Sequence, residues 1–375
     1  MLRHLSHPVR LSIGLVGGIV VGLLFGHLTH GFLDMLGAVY TVLIQFLVLP
    51  VLFTAIVTAV LSLRVRHDPR AVLAFTVSAG IAALLGLAAG SPDSGMRLPI
   101  EEISYLSTWS RHAPAVTVLA ALLVGVLLIA GGEGAIELHR RLRGGVDRLF
   151  GWLLKFAPLG IFGMAGGLFA HYGLRLAVPL LVLLGGVFAC CLLLIFVGYP
   201  LALRAAGVRP ADFLKVSRPA VWTAFRTSSS GAALPFTTEA AVRLGVPEDH
   251  AEGALRHASR ASMDGCGAVY PAAAALVLAH LFGLQPSLGH YLLVVGAAMF
   301  AAIATEGVVG WLPGLLLAMT LTGFDAKAMA VGLVLVYGLD PLLDKARSAA
   351  NVAGQIALPL LSVRQRERAL PAQVV

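Results

Sequence analysis

The sequence predicts an all-α polytopic membrane protein of eight transmembrane helices and two re-entrant helical hairpins of opposite orientation. Three observations carry that prediction. Of 375 residues, 58% are hydrophobic and only 12% charged, with mean hydropathy +0.89; a soluble globular chain carries about 25% charged residues. Apolar runs long enough to span a bilayer, about 20 residues each, recur along the whole chain. Two further apolar segments, 212–244 and 288–322, are interrupted by Gly, Pro and polar residues.

Taken in order, the spans are predicted at 11–33, 37–62, 71–90, 113–131, 148–171, 176–203, 252–282 and 326–361. The first continues into more apolar chain, so it reads as a span and not as a removable signal peptide. The polar segment "GSPDSGMRLPIEEISYLSTWSRH" reads as an external surface loop. Arg3 and Arg10 precede the first span, and Arg64, Arg66 and Arg70 follow the second. Arg140, Arg141, Arg143 and Arg148 lie before the fifth, Arg204, Arg209, Lys215 and Arg218 after the sixth, and Arg364, Arg366 and Arg368 after the last. Alternate loops such as "AHYGLR" and "LFGLQPSLGH" are nearly bare of Lys and Arg. This is the positive-inside pattern, and it places both termini in the cytoplasm of a cell whose inner membrane holds the chain. The net charge of +8 is therefore topological and gives no footprint for nucleic acid.

The interrupted segments matter because unpaired backbone is costly in lipid and is tolerated only when buried in protein or facing a watery cavity. The first carries "RTSSSGAALPFT" (226–237) and the second "IATEGVVGWLPG" (303–314). Were the first to cross the membrane, the Arg-free 281–290 loop would move to the cytoplasmic side. Two hairpins dipping from opposite faces restore the alternation. Paired, interrupted segments of this kind suggest an inverted repeat around a midplane binding site, as in secondary transporters.

Polar side chains then point to the site. Asp340, Asp344, Arg347, Asn351 and Gln355 are spaced by four, three, four and four, so they share one face of the last span, with Ser348 beside them. Charged residues inside a span are rare and mark substrate or ion paths. The bland reading is a structural Asp344–Arg347 pair with amides joining helices. Lys345 sits off the stripe, as a snorkelling or cavity-edge residue. In "RASMDGCGAVYP", Asp264 lies beside Gly265 and Gly267, which predict a loosened helix able to offer carbonyls to a cation. Cys190, Cys191 and Cys266 have neither metal nor disulfide spacing.

These segments resemble the glutamate transporter family, the dicarboxylate/amino acid:cation symporters. Thr227 to Thr237 is similar to its T-S-S-S-x-A-T-L-P-x-T hairpin tip, Ser262 to Cys266 to its N-M-D-G-T, and Asp344 to Gln355 to its D-x-x-R-T-x-x-N-x-x-G-D. The resemblance runs from the second span to near the C-terminus. It implies a homotrimer with an elevator mechanism and a small anionic solute, an acidic amino acid or a C4-dicarboxylate. It implies scaffold parts at 1–70 and 113–175, transport-domain parts at 71–90 and 176–363, an external loop at 91–112 and a cytoplasmic tail at 364–375. It assigns solute binding to Ser228, Ser229, Ser230, Thr305, Asp344, Arg347, Ser348 and Asn351. Arg347 would take a carboxylate and Asp344 a solute ammonium. No cofactor is implied beyond sodium ions or protons as coupling ions.

Departures from the family pattern bear on that coupling. Gln355 stands where the family has a sodium-binding Asp, Ser262 where it has Asn, and Arg260 near a position usually held by Thr. Glu306 adds an acid to the gate hairpin. Asp264 and Asn351 remain as the sodium ligands of a degraded set. These changes predict that sodium coupling is weakened or replaced by a proton, with Arg260 pairing with Glu306 across the closed gate. The opposing expectation leaves Arg260 on a vestibule wall, touching nothing. Two other functions were weighed: a transport-inactive binder, and an intramembrane hydrolase using one of the three serines. The hydrolase lacks G-x-S-x-G, and its nearest downstream histidines, His250 and His257, fall toward the cytoplasm.

Overall fold

The computed structural model describes residues 6–62, 69–98, 112–247, 263–304 and 311–369. Its elements are α1 (His7–Ser62), α2 (Pro69–Gly90), α3 (Ala113–Ala130), α4 (Gly132–Leu154), α5 (Ala157–Tyr172), α6 (Ala177–Leu193), α7 (Tyr199–Ala205), α8 (Pro210–Thr227), α9 (Ser230–Arg243), α10 (Tyr270–Leu281), α11 (Leu288–Ala304), α12 (Leu312–Leu321) and α13 (Ala326–Ala369). A 3₁₀ turn (Gly173–Leu176) joins α5 to α6, and π turns (Leu194–Gly198 and Asp264–Val269) precede α7 and α10. Among the described residues, seven segments are long and apolar enough to cross a membrane. One of them, Ala157–Ala205, has 49 residues. At 1.5 Å per residue it is too long for one crossing, and its chain turns at Gly173, where φ is +59°.

The chain is helical from His7 to Ser62, yet it folds back within α1. Gly14, Gly18, Gly22 and Gly26 abut Pro158, Phe162, Gly166 and Ala170 of α5 in rising order. Asp34, Gly37 and Tyr40 then meet Gly167, Met164 and Gly160 in falling order. Gly18 and Gly37 thus reach the same stretch of α5, although 19 residues of straight helix would part them by about 28 Å. The two arms, His7–Thr29 and Gly31–Ser62, therefore clasp α5 between them. A Cβ on Gly18 would overlap the carbonyl oxygen of Phe162. Small residues every fourth position are what allow membrane helices to approach this closely.

The span expected at 148–171 begins later. Residues 148–154 close the separate helix α4, and α5 starts with Pro158 in its first turn, where a missing N–H costs nothing. The physical reason lies in α4 itself. It is amphipathic, burying His139, Phe150, Leu153 and Leu154 while carrying Arg140, Arg141 and Arg148 on its outer side.

The remaining helices pack around α13. That helix lies against α6, α8, α9, α5 and the Asp264–Val269 turn, while α2 lies against α10, α11 and α6. Burial separates inner from outer spans: 94% of the Asp264–Leu281 window and 83% of the Ala326–Leu361 window are buried, against 22% for α3. The polar stripe is therefore carried by one of the two most enclosed spans. The α8 and α9 helices form an antiparallel pair. They are joined by Ser228 in the left-handed conformation (φ 51°, ψ 41°) and by Ser229, whose hydroxyl caps α9 by accepting from Ala232 N–H at 3.1 Å. Helices α11 and α12 also pack together, and their connection, 305–310, lies outside the described residues.

Replacing Gly18 by Leu should separate α1 from α5. Overpacking typically costs about 1–3 kcal/mol, so the variant should show a lower detergent melting temperature and a smaller folded peak by size-exclusion chromatography. A wild-type profile would contradict the close packing.

Candidate functional site

The site grows from the middle of α13. Spacing by three and four places Asp340, Asp344, Arg347, Ser348, Asn351 and Gln355 along one side of a helix that is almost wholly enclosed. Arg347 is 0% exposed. A guanidinium in that position needs anionic partners, and two carboxylates of its own helix supply them. Its Nη2 donates to Asp340 Oδ1, and to Asp344 Oδ1 at 3.3 Å. Ser348 Oγ donates to the same Asp344 oxygen at 3.4 Å. The stripe is thus an Asp–Arg–Asp cluster, wider than the Asp344–Arg347 pair of the bland reading.

The flat faces of the guanidinium are also used. Its carbon lies 4.2 Å from the ring centre of Tyr270 and 5.8 Å from that of Trp311. The two rings meet edge to face at 5.1 Å. Cation–π contacts with desolvated rings contribute about 2 kcal/mol, so they soften the cost of burial without ending it. Nε and Nη1 find no hydrogen-bond partner among the described residues. Three of the five donors of a guanidinium are therefore left for an acceptor from elsewhere.

Asn351 ties the stripe to the π turn. Its Oδ1 accepts from Gly265 N–H at 2.8 Å and from Cys266 N–H at 3.3 Å, and its Nδ2 lies 3.1 Å from Cys266 Sγ. Gly265 is required for this approach, because a Cβ there would stand 2.7 Å from the carbonyl oxygen of Arg347. The loosened backbone foreseen at Asp264 thus takes the form of a π turn whose amides are capped by a neighbouring side chain. Asp264 is 1% exposed. Its Oδ2 accepts from Ser78 Oγ of α2 and from Tyr199 OH of α7, the latter at 2.8 Å. Gln355 is buried one turn beyond Asn351.

The serine tip borders an open cavity. Ser228, Ser229 and Ser230 are half-buried. Ser228 lines an open cavity of about 750 Å³ together with Arg226 and Lys345, and Arg347 is not part of that wall. Lys345 accordingly sits at a cavity edge. Arg260, Ser262, Thr305 and Glu306 lie outside the described residues, and so does any pairing between Arg260 and Glu306. Among the described residues, no group of three or more His, Cys, Asp or Glu side chains is arranged to hold a metal ion.

Sequence reasoning missed Tyr270, Trp311, Tyr199 and Ser78. Tyr270 and Trp311 flank the glycine-interrupted motifs, so their position held a clue, but tryptophan in an apolar segment reads equally as packing or interface. Ser78 and Tyr199 reach Asp264 across 186 and 65 residues, and no local spacing announces such contacts.

Replacing Asn351 by Ala strips two buried N–H groups of their acceptor, at a cost of about 1–3 kcal/mol each. The variant should melt several degrees lower in detergent, and Asn351→Asp, which keeps an acceptor, should recover part of the loss. Equal melting of Asn351→Ala and wild type would remove Asn351 from this role.

Comparison with known proteins places the arrangement. A model of the Sodium:dicarboxylate symporter family matches residues 106–364. The chain is 24% identical over 395 residues to a proton/sodium-glutamate symport protein of Bacillus caldotenax, covering 94% of this chain and 93% of that protein. It is 25% identical over 398 residues to a C4-dicarboxylate transport protein of Deinococcus radiodurans, covering 95% and 88%. It is 24% identical over 422 residues to an L-cystine uptake protein of Bacillus anthracis, covering 96% and 89%.

Proposed function

The chain belongs to the Sodium:dicarboxylate symporter family, a family of multi-pass membrane transporters and not of enzymes, and from that premise we propose that it is an elevator-type symporter of a small acidic solute. The observation that carries this reading is Arg347, a fully buried guanidinium with Nε and Nη1 unmet. A solute carboxylate is the partner such donors fit, because planar forks pair best with carboxylates. It meets Nε and Nη1 while Asp340 and Asp344 stay on Nη2. Asp344 is then positioned beside it to accept the ammonium of an amino acid. That favours aspartate or glutamate over a C4-dicarboxylate, whereas the relatives' names span glutamate, C4-dicarboxylate and cystine.

Charge balance explains why cations must travel with the solute. With all groups ionised, Asp264, Asp340, Asp344 and Arg347 sum to two negative charges in a buried region. A carboxylate added to that region is opposed by the cost of uncompensated buried charge. Bound monovalent cations cancel it, and their release with the solute on the far side couples the two fluxes. Two residues read as sodium ligands now spend oxygens inside the protein: Asp264 Oδ2 receives two hydroxyls, and Asn351 Oδ1 two amides. Together with Gln355 in place of a carboxylate, this supports weakened sodium coupling, with a proton as the driving ion.

The same reading assigns α1, α3, α4 and α5 to a static scaffold. The α2 and α6–α13 helices form the moving part, with α8–α9 and α11–α12 as re-entrant hairpins and the second hairpin as gate. It takes the assembly as a homotrimer in the inner membrane with cytoplasmic termini. The packing of α1 on α3, α4 and α5, and of α2 on α10 and α11, supports that grouping, while α1 and α5 also pack on α13 across the boundary between the two groups. Purified protein in liposomes should accumulate labelled aspartate, and more weakly succinate, when an inward proton gradient is imposed without sodium. Uptake that requires sodium and ignores the proton gradient would overturn the coupling proposed; no uptake or exchange under any gradient would overturn transport itself.

A further inference from the structure

Beyond the solute site, the molecule holds a second polar feature that the transport reading leaves unused. The 750 Å³ cavity beside Ser228 is bounded by the first arm of α1, the end of α8 and the middle of α13. Arg226 and Lys345 both stand on its wall, and no acidic side chain among the described residues lines it. Neither cation makes an ion pair among the described residues. Ser228 adds a hydroxyl and is the only non-glycine residue with positive φ among the described residues.

The α1 wall has another chemistry. Val9, Ile13 and Val16 line it and remain 43%, 48% and 58% exposed, with Leu342 of α13, 44% exposed, on the cationic side. Val9, Ile13 and Val16 recur at helical spacing on α1, so they form one apolar strip along the cavity. Two cations with no ion pair among the described residues, beside an exposed apolar strip, suit a ligand with an anionic head and a hydrocarbon body. A free small anion would use the cations and leave the strip wet. A neutral lipid would cover the strip and leave two cations without a counter-charge. Basic pockets between membrane helices on the cytoplasmic side are sites of this kind for acidic lipids, and the charge pattern of the sequence puts this arm of α1 in that leaflet.

We propose that this cavity binds the phosphate headgroup of an anionic phospholipid through Arg226 and Lys345, with an acyl chain along Val9, Ile13 and Val16. Its walls come from α1 on one side and from α8 and α13 on the other, so an occupant bridges the two groups of helices.

Full-length protein in nanodiscs of phosphatidylcholine, with and without phosphatidylglycerol, tests this. Phosphatidylglycerol should raise the melting temperature saturably and should survive as a bound adduct in native mass spectrometry of the unmodified chain. The double variant Arg226→Gln, Lys345→Gln should hold it at least ~tenfold more weakly. The single variant Leu342→Glu, which adds negative charge to the wall and leaves both cations, should do the same. Equal stabilisation by both lipids, or phosphatidylglycerol binding unchanged in both variants, would overturn the proposal. So would inorganic phosphate or succinate in phosphatidylcholine discs reproducing the shift, since the site would then take free anions. Solute uptake by the double variant, read in parallel, separates failure of the lipid site from failure of the transport reading.

Discussion

An arginine with no solvent contact, in one of the two most enclosed spans of a membrane protein, sets the terms for everything around it. Removing one partner from a buried charge costs about 3–5 kcal/mol, so the protein must supply compensation on every side of the guanidinium. Asp340 and Asp344 provide charge, Tyr270 and Trp311 provide polarisable faces. The compensation is incomplete on the Nε and Nη1 side. A residual demand of that kind, built into a rigid helix, is what a receptor for carboxylates requires.

The rest of the fold holds that helix in place. Asn351 fastens it to the π turn at Asp264, and Gly265 lets the two backbones come close enough for the amide to reach. Asp264 is in turn held by Ser78 and Tyr199 from α2 and α7. Elements distant in sequence are thereby joined through two side chains, a carboxylate and a carboxamide. Such a network is a physical basis for linking the π turn at Asp264 to Arg347, because Asn351, which caps that turn, lies one helical turn from Arg347 on α13.

Much of this was legible in the sequence, for identifiable reasons. Apolar runs of membrane length announce spans directly, and the four-three-four-four spacing from Asp340 to Gln355 fixes a common face at 3.6 residues per turn. The serine tip was legible as a break from its run of Ser, Gly and Pro between apolar stretches; the left-handed turn at Ser228 was not. What escaped was set by tertiary contact. The fold-back of α1 onto both sides of α5 depends on small residues of two distant segments meeting. The start of α5 at Ala157 depends on α4 finding a place for its arginines. Tyr270, Trp311, Tyr199 and Ser78 are ordinary residues until the chain brings them to a charge.

The central claim, that Arg347 receives the carboxylate of the solute, is tested most directly by equilibrium binding in a double-mutant cycle. Labelled aspartate and an analogue with its side-chain carboxylate replaced by an amide would be bound to wild type and to Arg347→Gln. If the contact exists, losing the carboxylate and losing the guanidinium should each weaken binding, with little further loss when both are gone. Wild-type affinity for aspartate in Arg347→Gln, or two losses that simply add, would contradict it.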